Sequence, residues 1–157
     1  MGLVVLDNSF LAIVTPLIAK AKFEILISTF KLELSDKPRG RALKKFFEEL
    51  FRARARGLRI NMLFNWHADR RSVPLTNYSA GCELKNKNIA VKYLPKNRCC
   101  HTKIILIDRE YALVGSHNLS IKSTTENFEI SYLITDKDEI KNLVLIYEKI
   151  FANGIEL

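Results

Sequence analysis

Residues 103–108 and 111–116 are two runs rich in β-branched and apolar side chains, and the polar residues Asp108, Arg109 and Glu110 lie at their junction. That pattern reads as an antiparallel hairpin with a tight turn. The apolar residues fill successive rather than alternate positions, with Ile104, Ile105, Leu106 and Ile107 in one run and Ala112, Leu113 and Val114 in the other. Both faces are therefore covered, which places the pair in the interior of a sheet. A turn centred between Arg109 and Glu110 sets Lys103 opposite Ser116 and His101 opposite Asn118. Alternate residues of a strand share a face and cross-strand Cβ atoms lie about 5 Å apart. The four polar side chains are thus expected together, on one face, at one end of a buried sheet.

The chemistry open to such a group is phosphoryl transfer. Imidazole can attack phosphorus and leave again near neutral pH, which makes His101 a candidate covalent nucleophile. Lys103, Ser116 and Asn118 can donate hydrogen bonds to non-bridging oxygens whose charge shifts in the transition state. Neither a metal nor a cofactor is required. Asn127, Phe128 and Glu129 open the next strand-like run, and the Glu129 carboxylate could orient His101 through its other ring nitrogen. Glu126 is the alternative for that role. By the same parity Asp108 and His117 face away from the group, Asp108 towards a structural turn or an ion pair and His117 towards an incidental role.

The joint spacing His-x-Lys-x4-Asp-x6-Gly-Ser-x-Asn, filled here by His101, Lys103, Asp108, Gly115, Ser116 and Asn118, arises by chance in something on the order of one chain in a million. It resembles the signature of the phospholipase D superfamily, and the order of elements around it looks like that of the small members with one motif per chain. The resemblance implies a phospholipase D-like α/β/α sandwich and metal-independent phosphodiester transfer through a phosphohistidine. It also implies that a second copy of the motif supplies the other histidine of the reaction. This chain has one copy, so a homodimer with a shared site is expected.

Charge narrows the substrate. Among 157 residues, Lys and Arg outnumber Asp and Glu by 25 to 17, a net charge of +8, which favours a polyanion such as DNA or RNA over an anionic phospholipid surface. Arg39, Arg70 and Arg71 are the candidate phosphate contacts, with Arg41 beside them. Trp66 and His67 follow an apolar strand where α/β sites are often lined. Cys82, Cys99 and Cys100 are too few and too unevenly spaced for a disulfide framework or a zinc site. They read as free thiols, two of them adjoining His101. The first six residues are too short and too uncharged for a signal peptide, and no run has the length of a membrane span. A soluble, cytoplasmic protein is expected.

The chain length and a hydrophobic content of 48% fit one domain over residues 1–157. Capped by residues 7–9, a helix is expected over 10–22, interrupted at Pro16. Strands follow at 23–30, 58–64, 89–94 and 128–135, with the hairpin between the last two. Residues 31–40 form a basic loop, 41–56 the clearest helix, 73–87 a looser and partly helical segment, and 137–151 a closing amphipathic helix. Helices alternating with strands predict a mixed sheet covered on both faces. The functional expectation is a nuclease. The alternatives are a phospholipid hydrolase or transferase of the same chemistry, or a non-catalytic nucleic-acid-binding module that keeps the motif as a phosphate grip.

Overall fold

The computed structural model describes residues 2–66, 73–95 and 97–157. Its strands are β1 (Gly2–Leu6), β2 (Glu24–Thr29), β3 (Arg59–Phe64), β4 (Ala90–Tyr93), β5 (Ile104–Ile107), β6 (Tyr111–Gly115), β7 (Ile130–Ile134) and β8 (Ile155–Glu156). They form one mixed sheet in the order β1-β7-β6-β5-β2-β3-β4-β8. Strands β2, β3 and β4 run parallel, and every other neighbouring pair is antiparallel. The helices are α1 (Ser9–Lys20), α2 (Arg41–Ala55), α3 (Val73–Asn86), α4 (Ile121–Thr125) and α5 (Lys137–Ala152).

Alternation along the central strands divides the core in two. Ile25, Ile27, Ile60, Met62, Ile105 and Leu113 pack with Phe10, Val14, Ile18, Phe46, Leu50 and Leu84 of α1, α2 and α3. Leu26, Leu63, Leu106 and Ala112 pack on the other face with Ile140, Val144, Tyr147 and Phe151 of α5. The result is the expected α/β/α sandwich. In α2 the buried residues Leu43, Phe46, Phe47 and Leu50 recur at helical spacing, and each large one contributes about 1.5–3 kcal/mol by leaving water. Tyr147 crosses the whole α5 face. Its hydroxyl donates to the carbonyls of Ile27 and Asn61, at 3.1 and 3.0 Å, and so holds β2 and β3 under the helix.

Several elements differ from the expectation. Pro16 does not interrupt α1; it sits on the exposed side together with Ala12, where water can satisfy the carbonyl that loses its donor. The first residues form a strand, β1, which closes the sheet edge against β7. Val5 is its buried residue and Leu3, Val4 and Leu6 are exposed, so the run lacks the alternation that marks a strand in sequence. The hairpin register also shifts by one residue. Ile107 pairs with Tyr111 and Ile104 with Val114, because the connection holds three residues rather than two. Asp108 and Arg109 both take left-handed conformations, φ 53° and 58°, and the Glu110 amide closes the turn on Ile107 O at 2.9 Å.

Asp108 of the motif and His117 within its span are consumed by this framework. Asp108 Oδ2 accepts from the amide of Lys22 at 2.7 Å, and Oδ1 accepts from those of Phe23 and Glu24 at 2.8 and 3.0 Å, clamping the start of β2 to the end of β5. His117 is buried and stacked on Phe10 of α1, with centroids 4.4 Å apart and 8° between planes. Its Nε2 donates to Asp7 O at 2.9 Å, so Nδ1 accepts from Ser131 Oγ at 2.7 Å. This neutral tautomer satisfies both ring nitrogens, and burial pushes the His117 imidazolium down from its ordinary value of 6.5, against smaller opposing effects of Asp7 and Glu129.

Two outcomes follow for stability. Asp108→Ala leaves three amides without their acceptor and puts a residue less tolerant of the left-handed region at this turn, so urea unfolding is expected to show a loss of about 2 kcal/mol; Asp108→Asn, which keeps one acceptor, loses less. His117, with a folded value below its unfolded one, contributes stability that is complete above about pH 6.5 and declines as the pH falls through the lowered value. Between pH 8 and pH 5.5, above the carboxylate range, the wild-type chain should therefore lose more unfolding free energy than His117→Gln. Equal slopes would remove the histidine from the account.

Candidate active site

At one end of the sheet β2 stops, β5 begins and β6 stops, and the antiparallel pairing of β2 with β5 brings these three ends together. His101 and Lys103 lie on the approach to β5. Lys103 Nζ stands 3.2 Å from Nδ1 and 3.4 Å from Nε2 of His101 and donates to the His101 carbonyl at 2.7 Å. An ammonium can only donate, so a ring nitrogen that accepts from it does so through its lone pair, which is freed for attack when the ammonium turns to a phosphate oxygen. Burial pushes the Lys103 ammonium down from its ordinary value, and the nearby Glu129 carboxylate partly offsets this. Below both lies the ring of Phe30, 5.0 Å from the His101 ring and 5.6 Å from Lys103 Nζ.

The one-residue shift of register sets Lys103 against Gly115, whose amide bonds the Lys103 carbonyl at 3.3 Å. Ser116 and Asn118 reach the site by another route. The chain bends at Ser116 as β6 ends, and a Cβ on Gly115 would come within 2.3 Å of Ile130 O and 2.4 Å of Ser131 Cα. Only glycine permits that approach to β7. Beyond the bend His117 turns into the core and Asn118 turns towards β2. Asn118 Oδ1 accepts from the Lys31 amide at 2.9 Å and from Thr29 Oγ1 at 3.4 Å. With its oxygen held there, the amide NH2 is directed the other way, as a donor.

Glu129 organises the serine side. Ser116 Oγ donates to Oε2, while Ser123 Oγ and Asn127 Nδ2 donate to Oε1 at 2.8 and 3.0 Å. Burial works to raise this carboxyl, but the bonds from Ser116, Asn127 and Ser123 outweigh it and hold the group below its ordinary value. The carboxylate is thereby kept ionised near Lys103. The bond by which Glu129 could orient His101 is not made in this arrangement; the carboxylate is satisfied by the serines and Asn127, and its charge acts on Lys103. Glu126, the alternative, pairs with Arg39 at 3.0 Å instead. Arg39 is exposed on the loop that packs against α4, while Arg70, Arg71 and His67 lie outside the described residues.

Phe30, Thr29, Ser123 and Asn127 are site residues that the motif spacing gives no sign of. Asn77 is another. Fully buried in α3, it accepts from the Leu32 amide at 2.8 Å and donates to Phe30 O at 2.9 Å and to Asn65 O. Asn65 Oδ1 in turn accepts from the Cys100 amide at 3.2 Å. One asparagine thus ties together the loops that follow β2 and β3 and, through Asn65, the residue before His101. Its only sequence signal is a polar residue in a segment of otherwise weak helical pattern. Cys99 is exposed and Cys100 buried, and neither is in a disulfide. Trp66 packs between Tyr78 and Tyr93 and belongs to the framework.

Comparison with known proteins agrees with this fold. A family model described as cardiolipin synthase, PLD-like domain, matches residues 14–153. Cardiolipin synthase A of Buchnera aphidicola subsp. Acyrthosiphon pisum is 28% identical over 137 residues, covering 87% of this chain and 26% of that protein. The chain spans about a quarter or less of the length of the curated relatives it matches. Among solved structures, the phospholipase D family member Nuc from Salmonella typhimurium superposes with a TM-score of 0.80 at 17% identity, over 100% of this chain and 99% of that one. NucT from Helicobacter pylori gives 0.76 at 16% identity, over 100% of both chains. With the motif residues His101, Lys103, Gly115, Ser116 and Asn118 gathered at the end of this α/β/α sheet, and the family model matching most of its length, the chain belongs to the phospholipase D superfamily.

Proposed function

We propose that the protein is a metal-independent phosphodiesterase that cleaves DNA or RNA through a phosphohistidine, at a site shared by two copies of the chain. The observation that carries the reading is the His101 ring held beside the Lys103 ammonium, with Nζ 3.2 Å from Nδ1, and the Asn118 amide as a further donor. A phosphodiester seated there would have its non-bridging oxygens held by Lys103 and Asn118. A His101 nitrogen forms a bond to phosphorus, the P–O bond on the opposite side breaks, and the leaving alkoxide takes a proton from an acid on that far side. Water then attacks the phosphohistidine, giving its proton to the same group, and the imidazole leaves. Among the described residues no group of His, Cys, Asp and Glu is suited to hold a metal ion.

Among the described residues a single chain offers no second free histidine as the acid, since His117 is committed to the core. A second copy supplies it if two sites meet across a two-fold axis. In favour of such a contact, the β1–β7 edge exposes Val4 and Leu6 opposite Tyr132 and Ile130. Phe128, 97% exposed, adjoins Glu129 at the same end. An apolar surface of this kind on a chain of high net charge fits a self-complementary partner.

Nucleic acid is preferred because the net charge of +8 suits a polyanion. The second reading is a phospholipid hydrolase or transferase, and the cardiolipin synthase relatives favour it. Among the described residues no helix is long and apolar enough to cross a membrane, which leaves a surface-acting enzyme open. A phosphate grip without turnover is the remaining alternative.

The test is a panel of single-stranded DNA, RNA and anionic phospholipid vesicles with the purified chain. Cleavage of nucleic acid, unchanged by EDTA and abolished by His101→Asn with affinity largely kept, is the expected result. Turnover of vesicle lipid alone would replace the substrate, and loss of activity on chelation, restored by a divalent ion, would replace the mechanism. Mixing wild-type chain with excess His101→Ala chain under subunit exchange should poison activity progressively. Activity that tracks the wild-type chain linearly would rule out the shared site.

A further inference from the structure

His101 opens on two sides. Towards Phe30 and Lys103 it faces the phosphate position described above. On its other side it forms one end of a cleft of about 690 Å³ between the loop leading into β5 and the C-terminal turns of α5. That volume lies within the range of about 300–1,000 Å³ typical of small-ligand sites. Leu94, Pro95 and Ile150 give the cleft an apolar lining, and Arg98 and Lys149 stand at its rim. Both cations are exposed, and neither is paired with a carboxylate among the described residues. This contrasts with Arg39, Lys44, Arg52, Arg59 and Arg109, whose charges are met by carboxylates.

We propose that this cleft is a nucleotide subsite, in which Arg98 and Lys149 hold the phosphate next to the scissile one and the apolar lining takes the intervening sugar and base. The proposal rests on the nuclease reading and adds to it the direction in which the strand leaves the catalytic histidine. Its basis is the pairing of two uncompensated cations with an apolar floor directly beside the nucleophile. A nucleic-acid strand repeats its phosphate at every residue, so with one diester at His101 the next falls within a nucleotide's reach. A diacyl glycerophosphodiester with an uncharged or amine head group has a single phosphate, already placed at His101, and leaves the rim cations without a partner. Base and ribose faces also suit a lining that is partly apolar and partly polar, because every base has an apolar face whatever the donor and acceptor pattern of its edge. The subsite therefore predicts weak base preference and a dependence on strand length.

The experiment compares wild-type chain with the double variant Arg98→Ala, Lys149→Ala on a short single-stranded oligonucleotide and on bis(para-nitrophenyl) phosphate, an activated diester too small to reach the rim. The expected result is a KM for the oligonucleotide raised about tenfold, with the slope of log affinity against log salt reduced by about 0.7, as for one phosphate of a single strand, and an unchanged rate on the small diester. Arg98→Lys should recover some of the loss. If the oligonucleotide is cleaved with unchanged KM and salt slope, the cleft is not a subsite while the nuclease reading stands. Equal loss on both substrates would mean that the substitutions only disturb His101, and would also overturn the proposal. Should the wild-type chain hydrolyse phospholipid vesicles and neither bind nor cut the oligonucleotide, the nuclease reading fails and the subsite with it.

Discussion

The register between β2 and β5 is the constraint on which the site depends. A slip of one residue would turn every side chain of β5 to the opposite face, exchanging the α5 side of the core for the α1 and α2 side. Asp108 prevents this at one end of the pair, where a single carboxylate collects the three amides that begin β2. At the other end Ser28 and Thr102 join through their hydroxyls at 2.7 Å, directly before Lys103. Phe30 then lies under His101 and Lys103 because β2 ends where β5 starts. The aspartate of the motif is far from the chemistry, yet it sets the position of the nucleophile through the length of one strand.

A second layer of polar bonds fixes the donors. Asn118 is oriented by a backbone amide and a threonine, Ser116 by the Glu129 carboxylate, and Glu129 by Ser116, Ser123 and Asn127. Burying a carboxylate is costly unless its lone pairs are filled, and three donors fill them here. The anion that results is a fixed charge near Lys103, whose own burial would otherwise favour loss of its proton. The anion thus favours the charged form of Lys103 and partly offsets its burial. Preorganisation of this kind needs no movement of dipoles as charge redistributes during transfer.

The solved structures Nuc and NucT share this fold, and the family model that matches the chain is described as cardiolipin synthase, PLD-like domain. On the reading proposed above, the substrate is decided outside the motif, by surfaces the fold leaves free: the exposed β1–β7 edge, the rim cations Arg98 and Lys149, and the basic exterior. The same nucleophile can serve a lipid or a nucleic acid, since both present a diester phosphorus with two non-bridging oxygens. What separates them is how many further phosphates the protein can hold and whether apolar surface faces a partner chain or acyl chains.

Much of this is legible in residue order. Successive apolar residues in 104–107 and 112–114 require a central, doubly covered strand pair, and the helical stripe of Leu43, Phe46, Phe47 and Leu50 requires a packed helix, because burial follows periodicity. The reading of His101, Lys103 and Asn118 as a candidate phosphate-handling group follows from residue chemistry at fixed spacing. Other features are not legible there. The three-residue turn with two left-handed positions displaces the register, and the bend at Gly115 restores Ser116 and Asn118 to the site by a path no strand parity describes. Glu129 bonds serines rather than His101, Glu126 belongs to Arg39, and Asn77 ties three loops from a helix of weak pattern. Periodicity and motif spacing act locally along the chain and can be read from the order of residues, whereas hydrogen-bond partners tens of residues apart exist only once the sheet has brought its strand ends to one place.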